Sequence, residues 1–253
     1  MLKARVIPCL LLRDGGLIKT IRFKNYNYIG DPINAVRIFN DMEVDELAFL
    51  DIRATQEKRE PPYQLIEELA GECFMPLAYG GGIKNTEQMK RLFSIGVEKI
   101  IVNSALFNNP ALLSEAAALF GCQAVVASID VKKNLFGTYQ VMKYAGKKNT
   151  RLDPVMHAKA CATAGAGEIL LTSIDRDGTW QGYDLKLVHS ITQAVDVPVI
   201  ASGGAGSLED IGKVIKEAGA SAAALGSMVV FQAKGLGVLI KYPKPEQLKT
   251  VLG

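Results

Sequence analysis

Pro76-Leu-Ala-Tyr-Gly-Gly-Gly-Ile-Lys-Asn-Thr-Glu87 returns, 122 residues later, as Pro198-Val-Ile-Ala-Ser-Gly-Gly-Ala-Gly-Ser-Leu-Glu209. Each copy is a short apolar run, a glycine turn and the start of an amphipathic stretch, the pattern of a strand that feeds a helix. The repeat extends outward. Val102-Asn-Ser-Ala matches Leu225-Gly-Ser-Met at an offset of 123, and Ile7-Pro-Cys-Leu-Leu-Leu matches Val126-Ala-Ser-Ile-Asp-Val at 119. Self-similarity at one long period predicts two copies of a four-unit half.

Apolar runs at Arg5–Leu11, Glu46–Ile52, Met75–Tyr79, Lys99–Asn103, Ala124–Asp130, Glu168–Ser173, Pro198–Ser202 and Ala222–Leu225 read as strands. Most are near-continuously apolar, as expected of parallel strands covered on both faces. Helical patterns lie between them, at Pro32–Met42, Thr86–Ile95, Asp153–Ala164, Asp184–Ala194 and Leu208–Ala218. Ser207 reads as an N-cap, and Asp153-Pro154 as an N-cap with proline in the first turn. Eight βα units in 253 residues predict a closed (β/α)₈ barrel, which needs about 250 residues. No linker or compositional break divides the chain, so residues 1–253 are expected to be one barrel domain with internal half-barrel duplication.

Composition narrows the function classes. Apolar residues are 49% and charged residues 22%, close to the globular average, which argues against disorder. Twenty-nine Lys and Arg against 26 Asp and Glu leave a net charge of +3, too little to argue for nucleic acid or a membrane surface. No apolar run is long enough to span a bilayer, and the N-terminus does not read as a signal peptide. Cys9, Cys73, Cys122 and Cys161 are far apart, without a C-x-x-C pair. They are expected to be reduced thiols of a cytoplasmic protein. No Cys/His/carboxylate cluster has metal spacing, and no cofactor is expected.

The strand ends collect glycine, hydroxyl and amide residues: Gly82, Asn103 and Ser104 in the first half, Gly203, Gly204, Gly226 and Ser227 in the second, with Asp177 and Gly178 nearby. Glycine lets backbone N–H groups approach an anion, and a helix N-terminus adds its positive dipole end. The duplication predicts two phosphate sites across the barrel mouth, hence a phosphorylated small molecule; tight turns alone are the plainer explanation. Asp51 and Asp130 end apolar strands, where a carboxylate can serve as acid or base; Asp51 reads equally as a helix cap or as a partner of Arg53. Thr172 and Ser202 are further strand-end candidates for the pocket. The two-fold mate of Asp130 is Leu11, so a mechanism with paired carboxylates across the mouth is excluded. Trp180 walls the site or covers its loop. His157 and His189 read as helix-surface residues, and Met228–Phe231 as a short apolar helix on the barrel.

Several stretches together resemble the cyclase subunit of imidazole glycerol phosphate synthase, HisF. They are Ile7-Pro-Cys-Leu, Gly30-Asp-Pro, Asp45-Glu-Leu, Leu50-Asp-Ile, Tyr79-Gly-Gly-Gly-Ile, Asn103-Ser-Ala, Gly167-Glu-Ile-Leu-Leu-Thr-Ser-Ile-Asp-Arg-Asp-Gly-Thr, Gly182-Tyr-Asp-Leu and Ala201-Ser-Gly-Gly-Ala-Gly-Ser. They cover essentially the whole chain. The resemblance implies a glutaminase subunit on the N-terminal face of the barrel and ammonia passing through its centre. It assigns Arg5, Glu46, Lys99 and Glu168 to a charged ring at the ammonia entrance; read from residues alone, these are four charges of both signs at strand starts, a salt-bridged collar. The family uses two catalytic aspartates, at the ends of strands 1 and 5. Asp130 matches the second and Lys19 is kept, but Leu11 stands at the first. Asn25-Tyr26-Asn27-Tyr28 also departs from the usual loop, and Val230 replaces a common histidine.

That pattern is similar to a HisF-like branch found with bacterial surface-polysaccharide genes, by Ile-Pro-Cys-Leu-Leu-Leu, Lys19-Thr20 and Phe23-Lys-Asn. The branch implies a third partner, a sugar amidotransferase that turns an acetamido group into an acetamidino group. Three readings follow: an ammonia-handling subunit of that system, a cyclase of histidine biosynthesis, and a phosphate-binding regulatory barrel with no glutaminase. Turnover, complementation of a histidine auxotroph and complex formation discriminate them.

Overall fold

The apolar runs close on themselves. In the computed structural model, which describes residues 4–253, the barrel strands are β1 (Arg5–Arg13), β2 (Leu47–Asp51), β3 (Leu77–Gly80), β4 (Lys99–Val102), β5 (Val125–Lys133), β6 (Glu168–Ser173), β7 (Val199–Ser202) and β8 (Ala222–Leu225). Each pairs in parallel with the next, and β8 pairs with β1. Between them lie α1 (Pro32–Asp41), α2 (Tyr63–Glu72), α3 (Thr86–Ser94), α4 (Leu112–Phe120), α5 (Pro154–Thr163), α6 (Leu185–Thr192) and α7 (Leu208–Lys216). The short α8 (Ser227–Val230) and α9 (Pro245–Leu252) follow β8. This is a single (β/α)₈ barrel, as the sequence predicts.

Strand alternation divides the apolar residues into two cores. Val6, Leu10 and Leu12 of β1 point outward and pack under the helices with residues such as Phe39, Met89 and Ile211. Ile7 and Cys9 point inward and meet Ala48, Ala78, Ile101, Val126, Leu170, Ile200, Ala222 and Ala224. Four of these inner residues are alanines, so the lumen is filled more thinly than one lined by Val, Ile and Leu. The predicted caps form: Asp153 Oδ1 accepts from Met156 N–H at 3.0 Å, and Ser207 Oγ from Asp210 N–H at 3.3 Å.

The duplication holds to the residue. Leu11 registers with Leu50 as Asp130 does with Thr172, and Ile7 with Ala224 as Val126 does with Ile101. β1 and β5 are nine residues long and outrun the other barrel strands. Both continue into antiparallel hairpins above the C-terminal rim. One pairs β1 with Gly16–Ile21, which pairs in turn with Lys24–Gly30. The other pairs β5 with Tyr139–Lys143, and that strand with Lys148–Asn149. The sequence reading assigns no strand to these segments; they are strands.

Candidate active site

Inward positions at the C-terminal strand ends carry the polar residues, so the barrel mouth becomes a pocket of about 160 Å³. Leu11 and Asp130 line it, with Lys19, Asp51, Gly82, Asn103, Ser104, Thr172, Asp177, Gly178, Ser202, Gly203, Gly204, Gly226 and Ser227. Of the residues that the sequence reading puts at the mouth, all but Trp180 line this one space.

Asp130 is buried in the lumen wall. Its Oδ2 accepts from Asn103 Nδ2 at 3.0 Å. Burial pushes its carboxyl up to about 7, and the Asp177 charge adds to the rise, against the Asn103 hydrogen bond. A carboxyl poised there both gives and takes a proton near neutrality. Leu11, its two-fold mate, is buried and lines the same pocket without a titratable group. Burial likewise raises the Cys9 thiol to about 11, so Cys9 is a neutral lumen residue at neutral pH.

Lys19 reaches the pocket from the first hairpin. Its Nζ lies 3.2 Å from Asp177 Oδ1, while Thr20 Oγ1 donates to Asp177 Oδ2 at 2.7 Å. Asp177 thus anchors the hairpin across the mouth. Lys19 also lies along Gly226: a Cβ there would sit 2.7 Å from its Cε and Nζ. With glycine at 226, the Lys19 ammonium rests directly over the β8 turn. Gly204, at φ +115°, holds its turn in a conformation that disfavours side chains.

The first-half turn is covered by the second hairpin. Tyr144 N–H donates to Ser104 Oγ at 2.9 Å, and Gly146 packs against the Phe23 ring of the first hairpin. Asp51 behaves as a turn cap: its Oδ1 accepts from the N–H groups of Arg53 and Ala54 at 2.9 Å. Its charge partner is Arg59, at 3.5 Å, rather than the Arg53 side chain. Trp180 is half-buried beside Gly206, outside the pocket. His157 and His189 are on α5 and α6, and Val229 and Val230 of α8 are buried against the barrel. Lys132 and Lys133 are exposed on the β5 extension.

Gln56, Ser128 and Tyr144 also line the pocket and were not singled out from sequence; Thr20 and Phe23, which line it too, were quoted only as marks of the resemblance. Ser128 had a signal, since it is the two-fold mate of Cys9.

At the opposite end, four charges close the barrel floor. Arg5 reaches Glu46 at 2.6 Å and Glu168 at 2.7 Å; Lys99 Nζ reaches Glu46 at 2.8 Å and Glu168 at 3.2 Å. Each cation bridges both carboxylates, so the ring is continuous. Above it lies a cavity of about 10 Å³, room for roughly one water-sized molecule. Glu46 is at its base, and Cys9, Ile101 and Ala224 line both this cavity and the mouth pocket.

Comparison with known proteins fits this arrangement. The histidine biosynthesis protein family matches residues 5–234. The chain belongs to the HisF family. It is 50% identical over 248 residues to "Putative imidazole glycerol phosphate synthase subunit hisF2" of Pseudomonas aeruginosa, covering 98% of this chain and 99% of that one. It is 51% identical over 247 residues to "Putative imidazole glycerol phosphate synthase subunit HisF" of Leptospira interrogans, covering 97% of each. It is 42% identical over 228 residues to the imidazole glycerol phosphate synthase subunit HisF of Streptococcus sanguinis, covering 90% of each. The family is one of cyclase and synthase subunits.

Proposed function

We propose that this chain is the ammonia-accepting subunit of a glutamine amidotransferase complex that serves acetamidino modification of a nucleotide sugar. In this reading a glutaminase docks on the N-terminal face, over Arg5, Glu46, Lys99 and Glu168. Ammonia crosses the floor, passes Cys9, Ile101 and Ala224, and leaves through the mouth. A separate sugar amidotransferase there replaces the acetamido oxygen, which leaves as water overall, with the ammonia nitrogen, for use in surface-polysaccharide synthesis. The observation that carries the reading is Leu11. A general acid or base contributes about 10²–10⁴ in rate, and the two-fold mate of Asp130 cannot move a proton.

A second reading has its own support. Asp130 poised near neutrality, Lys19 over the Gly226 turn and the paired glycine turns suit a cyclase that joins ammonia to the bisphosphate aminoimidazole ribonucleotide, giving imidazole glycerol phosphate and AICAR. One experiment separates the two: ammonia-dependent turnover of that substrate by the purified barrel, beside Leu11→Asp. No turnover in the native barrel, with recovery in Leu11→Asp, is the expected result. Rapid native turnover would transfer the assignment to histidine biosynthesis.

A further inference from the structure

The hairpin that continues β5 carries a surface the pocket does not use. At its tip Leu135 is 102% exposed and Phe136 93% exposed. The tip is a fixed structure: Asn134 Oδ1 accepts from the N–H groups of Phe136 and Thr138 at 2.9 and 3.0 Å, and Asn134 N–H donates to the Thr138 carbonyl at 2.9 Å. The backbone that holds two large apolar side chains out in water is therefore already ordered, which lowers the cost of ordering it on contact.

Charge accompanies them. Residues 131–152 include Lys132, Lys133, Lys143, Lys147, Lys148 and Arg151 and no Asp or Glu, although the whole chain carries only +3. All of these but Lys143 are exposed. Asp184, 3.6 Å from Lys133 Nζ, is a counter-charge from outside the segment. The hairpin also joins tip to chemistry. Asp130 sits at its root, paired with Met142, and its lower turn holds Ser104 through Tyr144.

We infer that this hairpin is the docking element for the protein that consumes the ammonia, a partner with an acidic face and an apolar socket for Leu135 and Phe136. The inference rests on the conduit reading above. Ammonia released into bulk water is diluted and protonated, so a conduit needs its acceptor seated on the mouth, and this cationic, apolar-tipped hairpin is continuous with the mouth. An anionic bilayer matches the same charge and apolarity, but it would face the mouth with headgroups, where no acceptor resides.

The test uses the barrel, its glutaminase and the sugar amidotransferase of the proposed system. Two barrel variants are compared with native: Leu135→Asp with Phe136→Asp, and Lys132→Glu with Lys133→Glu. Both variants should bind the amidotransferase at least 10-fold more weakly and lose at least 10-fold of glutamine-driven acetamidino product. Stimulation of the glutaminase by the barrel should be unchanged, which shows the variants folded, and so should product driven by ammonium chloride, which shows the amidotransferase active. The lysine variant should also flatten the salt dependence of binding. Native-like binding and product in both variants would overturn the docking inference alone. So would capture of the native barrel by phosphatidylglycerol vesicles with no binding to the amidotransferase. Absence of acetamidino product from the native proteins with either nitrogen source would bring down the conduit reading, and the docking inference with it.

Discussion

Leu11 and Asp130 occupy equivalent positions of the two half-barrels, each at the inward end of its strand: Leu11 registers with Leu50, and Asp130 with Thr172. The duplication supplies two places for a carboxylate and the chain fills one. A second carboxylate placed there would share a buried pocket with the first, and two such groups raise each other's protonation.

Leu11→Asp is therefore expected to lower stability by about 2–4 kcal/mol at pH 8, through burial of a new charge. The loss should shrink toward pH 5, as protonation removes the charge. Urea unfolding at the two pH values measures it. Equal losses at both would show that residue 11 does not sense the pocket.

Asp130 has the opposite sign from a salt-bridged aspartate. Its folded value, about 7, lies above the usual aspartate value of 3.8, so the folded state binds the proton more tightly than the unfolded chain. Its effect on stability is neutral below the unfolded value and becomes increasingly unfavourable as pH rises to about 7. The full penalty is at most about 4 kcal/mol. Asp130→Asn should therefore be more stable than native at pH 8 and no more stable at pH 4, while losing any proton transfer at this site. Paired thermal melts at both pH values check it.

The barrel strands were legible because strands buried on both faces read as plain apolar runs, and the glycine turns recurred at a fixed offset. The Leu11–Asp130 asymmetry followed from the same offset. The two rim hairpins were not legible. Lys24, Asn25, Tyr26, Asn27 and Tyr28 are all exposed, so no buried face imposes the period-two pattern that betrays a strand. Nor does local sequence show that Asp177 anchors Lys19 and Thr20, a contact across more than 150 residues. It is set by how β1 and β6 sit in the closed barrel.

The floor ring gives a third expectation. Glu46 and Glu168 are nearly buried, and Lys99 contacts both. Lys99→Met leaves Arg5 to neutralise two carboxylates. Breaking a buried pair typically costs about 3–5 kcal/mol; with Arg5 still bridging, about 2–3 kcal/mol is expected. Chemical denaturation measures it. Lys99→Met with Glu168→Gln should recover part of the loss, and no recovery would mean that the lysine acts through packing instead.

The last expectation concerns the lumen. Ala224 borders both the small cavity above the ring and the mouth pocket, registered with Ile7 on one side and Ser202 on the other. Ala224→Val adds two methyl groups to a space of about 10 Å³. Overpacking of this size costs about 1–3 kcal/mol, which a barrel can absorb. Under the conduit reading the added bulk blocks the path from ring to mouth and leaves the acceptor protein's own access to ammonia in solution unchanged. Product formation from glutamine should then fall at least 10-fold in the assembled complex, while formation from ammonium chloride, which reaches the acceptor protein from solution, stays near native. Equal loss from both nitrogen sources would locate the damage in the pocket. Equal activity from both would mean that ammonia does not travel past Ala224.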